Sequence, residues 1–371
     1  MPHRPAAPPL VLHDAFAFPG GGEKVAVTLA RAFGAQLFAG EYDPAAFPPD
    51  YFDAPPRSLA AAATRPLAAR LSKTLAMRLA FARMSPVAAP LAIHSGSLCL
   101  LAHAHIAAPQ VLYCHTPPRI LYDHHDFYMR RQSLPRRPLY ALLLAGYRRA
   151  YERAARAMDA VVANSETVRR RIERFLGLPA TVVHPPVDTA AFADCGQEPF
   201  YLSTARVDVL KRVDVVVRAF RDMPERRLVV VSGGSELARV RELAAGCANI
   251  DIRGWTADAD LKRLIGTCQA TIYIPRDEDF GISPVESMAA GKPVLGVREG
   301  GLTETVVHGE TGILLPSDPG PDDVARGVAA LDAATAQRMA PACRARAALF
   351  DTRVFVEKMR GVVDAVMERR G

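Results

Sequence analysis

Short apolar runs recur along the first half of the chain, each followed by a turn and a stretch with helical spacing. The first run, residues 9–14, stops before the glycines of residues 20–22; in residues 23–33 Ala, Leu and Val then recur at helical spacing. Further runs predict buried strands at residues 90–95, 111–115, 160–164 and 181–184. Strands that alternate with helices predict a parallel α/β sheet.

The same pattern restarts after Pro185-Pro186 and the irregular residues 189–199. Six more runs predict strands, at residues 200–203, 227–231, 250–252, 270–274, 293–297 and 312–315. A chain of 371 residues also exceeds the usual domain length of roughly 100–200 residues. The sequence therefore predicts two doubly wound α/β domains, covering residues 1–188 and 189–351.

Positive charge is concentrated in the first half. Residues 1–190 carry 22 Lys and Arg against 13 Asp and Glu, whereas the remainder carries 24 against 26. Within residues 57–83 and 130–156, Arg alternates with Leu, Ala, Met, Phe and Tyr, a composition typical of helices on an anionic membrane surface. A solvated helix face is the alternative interpretation. The Arg-rich segments carry mostly Ala and Leu rather than a reading surface of interleaved aromatics, so we expect no nucleic-acid partner.

Several features bear on location. The six cysteines form no CxxC pair, which indicates reduced thiols. Residues 1–9 lack the apolar core of a signal peptide. Residues 84–118 hold no Lys, Arg, Asp or Glu, but Pro, His, Ser and Gly interrupt them, so we interpret them as strand, helix and strand rather than a membrane span. We expect a cytoplasmic protein, with any membrane contact at the inner face of the plasma membrane.

The segment 276–294 carries the clearest chemical signal. It follows a predicted strand, turns at residues 280–282 and opens a helix, with Ser283 as the expected N-cap and Pro284 as the first helical residue. A helix N-terminus at the end of a parallel strand favours a phosphate, because its unpaired N–H groups and its dipole attract an anion. The turn is therefore a candidate diphosphate site.

Two carboxylates frame this turn, Glu278 before it and Glu286 in the predicted helix. A carboxylate can accept hydrogen bonds from two neighbouring sugar hydroxyls. Each Glu could therefore hold one sugar of a nucleotide-sugar, on opposite sides of the diphosphate.

The spacing of Glu278 and Glu286 resembles the E-x7-E signature of the retaining glycosyltransferases of family 4, and the resemblance extends along nearly the whole chain. Residues 203–207 and 211–214 are similar to the family's Arg and Lys pair that neutralises the diphosphate, here Arg206 and Lys211. Residues 20–23 resemble the glycine loop of the first domain that faces the donor phosphates. The resemblance implies a GT-B fold, with two Rossmann-like domains facing each other across a cleft and helix 352–369 packing back on the first.

The resemblance also implies roles for single residues. Residues 113–119 resemble the YCHTP-x-R variant of bacterial polysaccharide mannosyltransferases, in which the matched His lies by the reacting sugar. It assigns His115, Glu278, Arg206 and Lys211 to catalysis, and Arg119 and Asp123 to the acceptor pocket. Besides Arg206, Lys211 and Glu278, the expected donor-binding residues are Gly21, Gly22, Gly233, Gly254, Phe280, Gly281, Ile282, Val285 and Glu286.

By this resemblance the chain transfers a hexose with retention at the anomeric carbon. The specific expectation is mannose from GDP-mannose, moved to a lipid-linked or cell-envelope glycan in polysaccharide or lipopolysaccharide biosynthesis. We expect no cofactor and no metal, although Asp277 and Asp279 form an Asp-x-Asp sequence. A UDP-sugar donor, a nucleotide-sugar 2-epimerase and a catalytically silent sugar-nucleotide binder are the alternatives.

Overall fold

The protein is described from a computed structural model, which covers residues 7–18, 20–59 and 73–370. The chain divides into two compact units. The first holds the residues up to Pro186 together with those from Phe355 onward, and the second is Val187–Val354. The division falls two residues before the boundary expected from the sequence, and the chain returns to the first unit within its last helix.

The first unit is built on a seven-stranded parallel sheet with the order β3-β2-β1-β5-β7-β8-β9. Strands β4 and β6 pair only with each other. Leu10–Phe16 overlaps the predicted run of residues 9–14, whereas Gln36–Tyr42 was missed because Gly40 and Glu41, near its end, break the apolar run. The strands are β1 Leu10–Phe16, β2 Gln36–Tyr42, β3 Arg57–Ser58, β4 Val87–Ala88, β5 Ala92–Ser95, β6 Ile106–Ala107, β7 Gln110–Cys114, β8 Ala160–Ala163 and β9 Thr181–Val182.

Helices cover this sheet, and alternate residues of its strands enter two separate apolar clusters, as expected for strands buried on both faces. The segment expected to be a helix between β5 and β7 is instead a 3₁₀ helix, Cys99–His105. The helices are α1 Gly21–Phe33, α2 Lys73–Ala82, α3 His125–Arg130, α4 Arg137–Arg156 and α5 Glu166–Leu176. Part of the basic stretch 57–83 lies outside the described residues.

The C-terminal helix, Thr352–Arg370, belongs mostly to the first unit. Its buried residues Phe355, Met359, Val363 and Val366 recur on one face and join the apolar cluster of that sheet. Phe355 packs edge-on against Tyr113 of β7, with ring centroids 5.7 Å apart. Apolar burial therefore holds this helix on the first sheet.

The second unit contains a six-stranded parallel sheet with the order β12-β11-β10-β13-β14-β15. Its strands are β10 Phe200–Ser203, β11 Arg227–Val231, β12 Ile250–Gly254, β13 Ala270–Ile272, β14 Val294–Val297 and β15 Gly312–Leu315. Its helices are α6 Val213–Arg221, α7 Leu237–Leu243, α8 Asp258–Thr267, α9 Ile282–Ala289, α10 Leu302–Thr305, α11 Pro321–Ala330 and α12 Ala333–Ala348. All six strands match the predicted runs within two residues.

Each sheet has one topological switch point, at which the chain reverses its direction of winding. In the first unit it lies between β1 and β5, and in the second between β10 and β13. Loops diverge at such a point and leave a crevice at the carboxyl ends of the strands, where α/β proteins bind ligands. Among the described helices, none has the length and apolarity of a membrane span.

Candidate functional site

In the second unit, Lys211 and Glu278 meet at the switch point. Lys211 follows β10 and Glu278 follows β13, and the Lys211 Nζ lies 2.5 Å from the Glu278 Oε2. Tyr273 completes the group, because its hydroxyl donates to the same Glu278 oxygen over 2.7 Å and accepts from Lys211 over 3.1 Å. The side chains of Lys211 and Glu278 are only 26% and 16% exposed. The sequence predicted both charged residues but not their contact.

The surroundings strengthen this pair. Burial alone would lower the pKa of Lys211, but Tyr273 and Glu278 outweigh it, so the pKa of Lys211 is raised. Burial also raises the pKa of Tyr273, and Glu278 adds to the effect. Lys211 is therefore a cation and Tyr273 a neutral hydrogen-bond donor at physiological pH.

The backbone around Lys211 is fixed by its neighbours. Lys211 ends the 3₁₀ turn Val209–Lys211, and Arg212 follows in the left-handed region with φ 52°. The nearly buried Arg212 guanidinium donates to the Ser317 carbonyl over 2.7 Å and to Asp318 over 3.1 Å. These bonds to the loop after β15 offset the cost of a non-glycine residue with positive φ.

The loop that carries Glu278 is equally constrained. The Asp277 N–H donates to Glu299 over 2.7 Å, with Asp277 itself at φ 56°. The Gly301 N–H donates to the Glu278 carbonyl over 2.9 Å, and a Cβ at Gly301 would overlap the backbone of Phe280. Only glycine permits that close approach of the two loops. The carboxylate of Glu278 is thus presented from a rigid support.

Helix α9 begins two residues earlier than the sequence suggested. Gly281, at φ 90°, is its N-cap and Ile282 its first residue. The expectation that Ser283 is the N-cap is therefore wrong, because glycine takes the left-handed conformation that the turn requires. Ser283 lies inside the helix, where its carbonyl accepts from the Ser287 hydroxyl.

The other residues expected in this segment divide into two groups. Phe280 and Val285 are buried in the apolar cluster, where Phe280 packs on Phe350 at a centroid distance of 5.4 Å. Any contribution of Phe280 and Val285 to binding would therefore come from the backbone. Glu286 lies in α9 and is 9% exposed.

Arg206 does not join the Lys211 and Glu278 pair in the same way. Its guanidinium lies 2.8 Å from Asp208, which also accepts from the Ser235 backbone N–H and hydroxyl at 3.0 Å each. Asp208 thereby connects the loop after β10 to the loop after β11. Arg206 is half-exposed and lies in the loop after β10.

The glycines expected at the base-binding end lie after β11 and at the end of β12. The indole of Trp255 packs so closely on Gly233 that a Cβ there would overlap it. Gly234 approaches the backbone of Val207 in the same manner. Gly254 has φ 77°, and its carbonyl accepts from the Ser232 N–H over 2.6 Å. Trp255 is largely exposed beside these two loops.

In the first unit, His115 lies just after β7 and contacts Ser95 of β5. Its Nε2 is 2.9 Å from the Ser95 hydroxyl oxygen. The Ser95 carbonyl accepts from the Nδ1 of His13, on β1, over 2.5 Å. Burial and the neighbouring His13 lower the pKa of His115 to about 3. His115 is therefore a neutral imidazole held at the switch point of the first sheet.

The glycine loop borders this histidine cluster. Helix α1 starts after Gly20, with Gly21 as its first residue and no side-chain cap. A methyl group on Gly22 would lie 3.6 Å from His13 and 3.7 Å from His115. Gly22, in the first turn of α1, therefore lies against both His13 and His115, and the Glu23 carboxylate lies 3.9 Å from the His13 ring.

Arg119 and Asp123 form an ion pair with each other. Arg119 donates to Asp123 over 2.8–3.1 Å and lies 2.8 Å from the His124 ring nitrogen. Arg171 of α5 approaches Asp123 at 3.9 Å and donates to the Thr116 hydroxyl over 3.3 Å. Two guanidinium groups thus share one carboxylate beside the His115 segment.

Sequence reasoning missed five residues of these two clusters. Tyr273, Ser95 and His13 lie at or near strand ends, and that placement is the only signal the sequence offered. Arg171 and Glu299 act from other segments, so only the fold shows their contacts. Among the residues that the structure describes, no three His, Cys, Asp or Glu side chains could hold a metal ion together. Metal independence stays a prediction.

Known proteins resemble this chain in two ways. By sequence, the alpha-1,3/1,6-mannosyltransferase alg-2 of Neurospora crassa is 30% identical over 189 residues, 38% of this chain and 40% of that protein. The D-inositol 3-phosphate glycosyltransferase of Acidothermus cellulolyticus is 32% identical over 250 residues, 58% of this chain and 55% of that protein. The chain spans about half the length, or less, of the curated relatives that it matches first.

By structure, Anabaena HepE in complex with UDP-glucose superposes with a TM-score of 0.74 at 16% identity, over 96% of this chain and all of that chain. The two units also match known families. Residues 19–191 match Glycosyltransferase Family 4, and residues 191–346 match Glycosyl transferases group 1. The chain therefore belongs to the family 4 glycosyltransferases and has the GT-B fold, with two Rossmann-like domains.

Proposed function

We propose that this chain is a retaining, metal-independent glycosyltransferase that moves mannose from GDP-mannose to a lipid-linked or cell-envelope glycan acceptor in polysaccharide or lipopolysaccharide biosynthesis. The observation that carries the proposal is the contact of Lys211 with Glu278 at the switch point, beside the N-terminus of α9. A cation for phosphate and a carboxylate for sugar hydroxyls stand side by side there. A nucleotide-sugar carries a diphosphate next to a sugar, and so it could contact Lys211 and Glu278 at the same time.

The chemistry follows from these charges. When the sugar–phosphate bond breaks, negative charge accumulates on the departing nucleoside diphosphate. In the proposal, Lys211, Arg206 and the N–H groups of α9 would stabilise that charge more strongly in the transition state than in the ground state. Glu278 and Glu286 would accept hydrogen bonds from donor hydroxyls, and the departing phosphate oxygen would take the acceptor's proton.

His115 has a separate role in the proposal. Because it is neutral, it can hydrogen-bond a sugar hydroxyl without adding a charge. Gly21 and Gly22 would offer backbone N–H groups to the donor phosphates, and Arg119 with Asp123 would bind the acceptor. Trapping a covalent glycosyl adduct on Glu278 would contradict the transfer step proposed here.

Two donors have support. The similarity to the Neurospora crassa mannosyltransferase supports a mannosyl donor. HepE, whose fold this chain shares, was solved with UDP-glucose, which keeps a UDP-sugar as the second candidate. The nucleoside therefore has to be measured.

An anionic membrane surface is the proposed setting. Helix α4 buries Leu144, Tyr147 and Tyr151 on one face, yet Leu139, Leu142 and Leu143 are exposed. The segment 127–151 contains six Arg and no Asp or Glu. Exposed leucines beside guanidinium groups suit a bilayer with anionic headgroups, where a lipid-linked acceptor would reside.

Calorimetry tests the donor site first. The wild-type protein is titrated with GDP and with UDP, each with and without a chelator, and Arg206→Ala is the site variant. We expect selective, chelator-insensitive GDP binding that Arg206→Ala weakens at least about tenfold, since a hydrogen bond to a charged group is worth roughly 1.5–3 kcal/mol. Arg326→Ala is the matched control, because Arg326 also pairs with an acidic neighbour but lies on helix α11.

The outcomes separate the candidates. Preferential UDP binding would replace the GDP-mannose proposal with the UDP-sugar one. Binding of neither nucleotide would refute the glycosyltransferase proposal, and binding that requires metal would refute metal independence. Hydrolysis or epimerisation of GDP-mannose without any acceptor would favour an epimerase.

A further inference from the structure

Tyr273 is the one member of the Lys211, Tyr273 and Glu278 group to which no role has yet been given. Its hydroxyl is the third corner of a closed triangle of hydrogen bonds, 2.7 Å from the Glu278 Oε2 and 3.1 Å from the Lys211 Nζ. The triangle neutralises itself, because one cation faces one carboxylate over 2.5 Å. A nucleotide-sugar must therefore displace at least one of these hydrogen bonds before it can contact the Lys211 ammonium or the Glu278 carboxylate.

We infer that Tyr273 is a positioning residue that keeps Glu278 hydrogen-bonded while Lys211 turns from Glu278 to the donor diphosphate. The inference rests on the proposed function. It concerns an exchange of hydrogen-bond partners. Lys211 leaves the Glu278 Oε2 and donates to a phosphate oxygen instead, while the Tyr273 hydroxyl continues to donate to the Glu278 Oε2.

The two partners of Glu278 differ in freedom. Lys211 has a flexible four-carbon side chain that can redirect its ammonium group. Tyr273 is 7% exposed and follows β13 directly, where its N–H donates to the Leu295 carbonyl over 2.9 Å. Its ring has two rotatable bonds and is packed in the apolar cluster of the second unit. Tyr273 is therefore the fixed partner and Lys211 the movable one.

Glu278 needs such a fixed donor. Its side chain is only 16% exposed, and a buried carboxylate oxygen that loses its donors carries a full desolvation cost. A nucleoside diphosphate has a diphosphate for Lys211 but no donor sugar for Glu278. A nucleotide-sugar supplies both, since its sugar hydroxyls can donate to Glu278. The Tyr273 hydroxyl should therefore contribute more to the binding of the nucleoside diphosphate than to the binding of the nucleotide-sugar.

The test compares Kd values of wild-type protein and Tyr273→Phe for two ligands, GDP and GDP-mannose, or UDP and UDP-glucose if the wild type prefers uridine. We expect Tyr273→Phe to weaken binding of the nucleoside diphosphate by about tenfold, because Glu278 is left without a hydrogen-bond donor. Binding of the nucleotide-sugar should weaken by less than about threefold, because its sugar hydroxyls replace the lost hydrogen-bond donor.

Two results would overturn the inference: equal weakening of both ligands, or no change in either. Neither is confused with failure of the proposed function, because that failure appears in the wild type as an absence of nucleotide binding. Tyr201→Phe is the matched control. Tyr201 lies in the same unit with its buried hydroxyl donating to the Val328 carbonyl over 3.0 Å, so its loss should lower Tm without separating the two ligands.

A second variant makes the test independent of the packing of Tyr273. Glu278→Gln removes the charge that holds Lys211 and keeps the size of the side chain. We expect it to strengthen nucleoside diphosphate binding by several-fold and to weaken nucleotide-sugar binding. Unchanged nucleoside diphosphate binding in Glu278→Gln would show that Lys211 is not released from Glu278, and the exchange would be refuted.

Discussion

The exposed leucines of helix α4 give a direct test of membrane binding. Leu139, Leu142 and Leu143 are 63%, 68% and 41% exposed, and their spacing of three and four residues places them on one helix face. Full burial of a leucine side chain is worth about 1.5–3 kcal/mol. Burying the exposed fractions of these three side chains in lipid should therefore contribute at least about 2 kcal/mol, or about 30-fold in partitioning.

The perturbation is the triple replacement Leu139→Gln, Leu142→Gln and Leu143→Gln, which keeps good helix formers on α4. Binding is measured by cosedimentation with vesicles of phosphatidylcholine, with and without phosphatidylglycerol. We expect the triple variant to bind anionic vesicles at least about 30-fold more weakly than wild type. Wild-type binding should also fall with added salt, because the arginines of segment 127–151 contribute about 1 kcal/mol each near an anionic surface.

Leu349→Gln is the matched control, since Leu349 is 55% exposed but lies in the second unit. It should bind vesicles as the wild type does. Equal binding of the triple variant and the wild type would refute the argument that α4 is the membrane-contacting face, and so would equal binding to neutral and anionic vesicles.

Three further predictions concern the strand ends. Ser95→Ala should lower kcat for sugar transfer about fivefold by removing the partner of His115, whereas Ser95→Thr, which keeps the hydroxyl, should lower it less; equal kcat values would refute the role of this bond. Gly301→Ala should lower the unfolding free energy measured with urea by about 1–3 kcal/mol and abolish sugar transfer, because the added Cβ overlaps the backbone of Phe280. Gly146→Ala, on α4 with open space around it, is the control and should be neutral or stabilising. Because the pKa of His115 is lowered to about 3 in the folded state, the unfolded state binds the proton first as pH falls below about 6.5, and stability is lost. Between pH 7 and 5, His115→Gln should therefore lose about 1–2 kcal/mol less unfolding free energy than wild type; parallel losses would contradict the lowered pKa.

The sequence predicts the second sheet better than the first. Four of the six strands of the second unit, β10, β11, β14 and β15, are nearly continuous apolar runs, which is how strands covered on both faces appear in a sequence. In the first unit, β2 contains Gly40 and Glu41 near its end, so its apolar run is too short to recognise. The segment before β7 is rich in Ala, Leu and His and was expected to be a helix, but it forms a 3₁₀ helix. Local pattern does not distinguish the two forms.

At the candidate site, the sequence indicates which residue types are present but not which atoms meet. Glu278 and Lys211 are 67 residues apart in the chain, and only the order of the strands makes β10 and β13 neighbours. Ser283 illustrates a different difficulty. Its type is ideal for an N-cap, yet a glycine two positions earlier has the backbone freedom that the turn demands and takes the role.

The contact of Lys211 with Glu278 shows why a charged pair in this position need not be a stabilising feature. Partly buried ion pairs gain little over well-packed apolar side chains, because both ions lose water on burial. Here the loops around the pair use positive φ at Arg212 and Asp277, two further local costs. A pair that is expensive to build and easy to exchange is better explained by binding than by stability. Stability data on the double variant Lys211→Met with Glu278→Gln, which removes both charges, offer the decisive comparison. A double variant as stable as wild type that no longer binds nucleotide supports this view, whereas a large loss of stability would make the pair a structural element of the second unit.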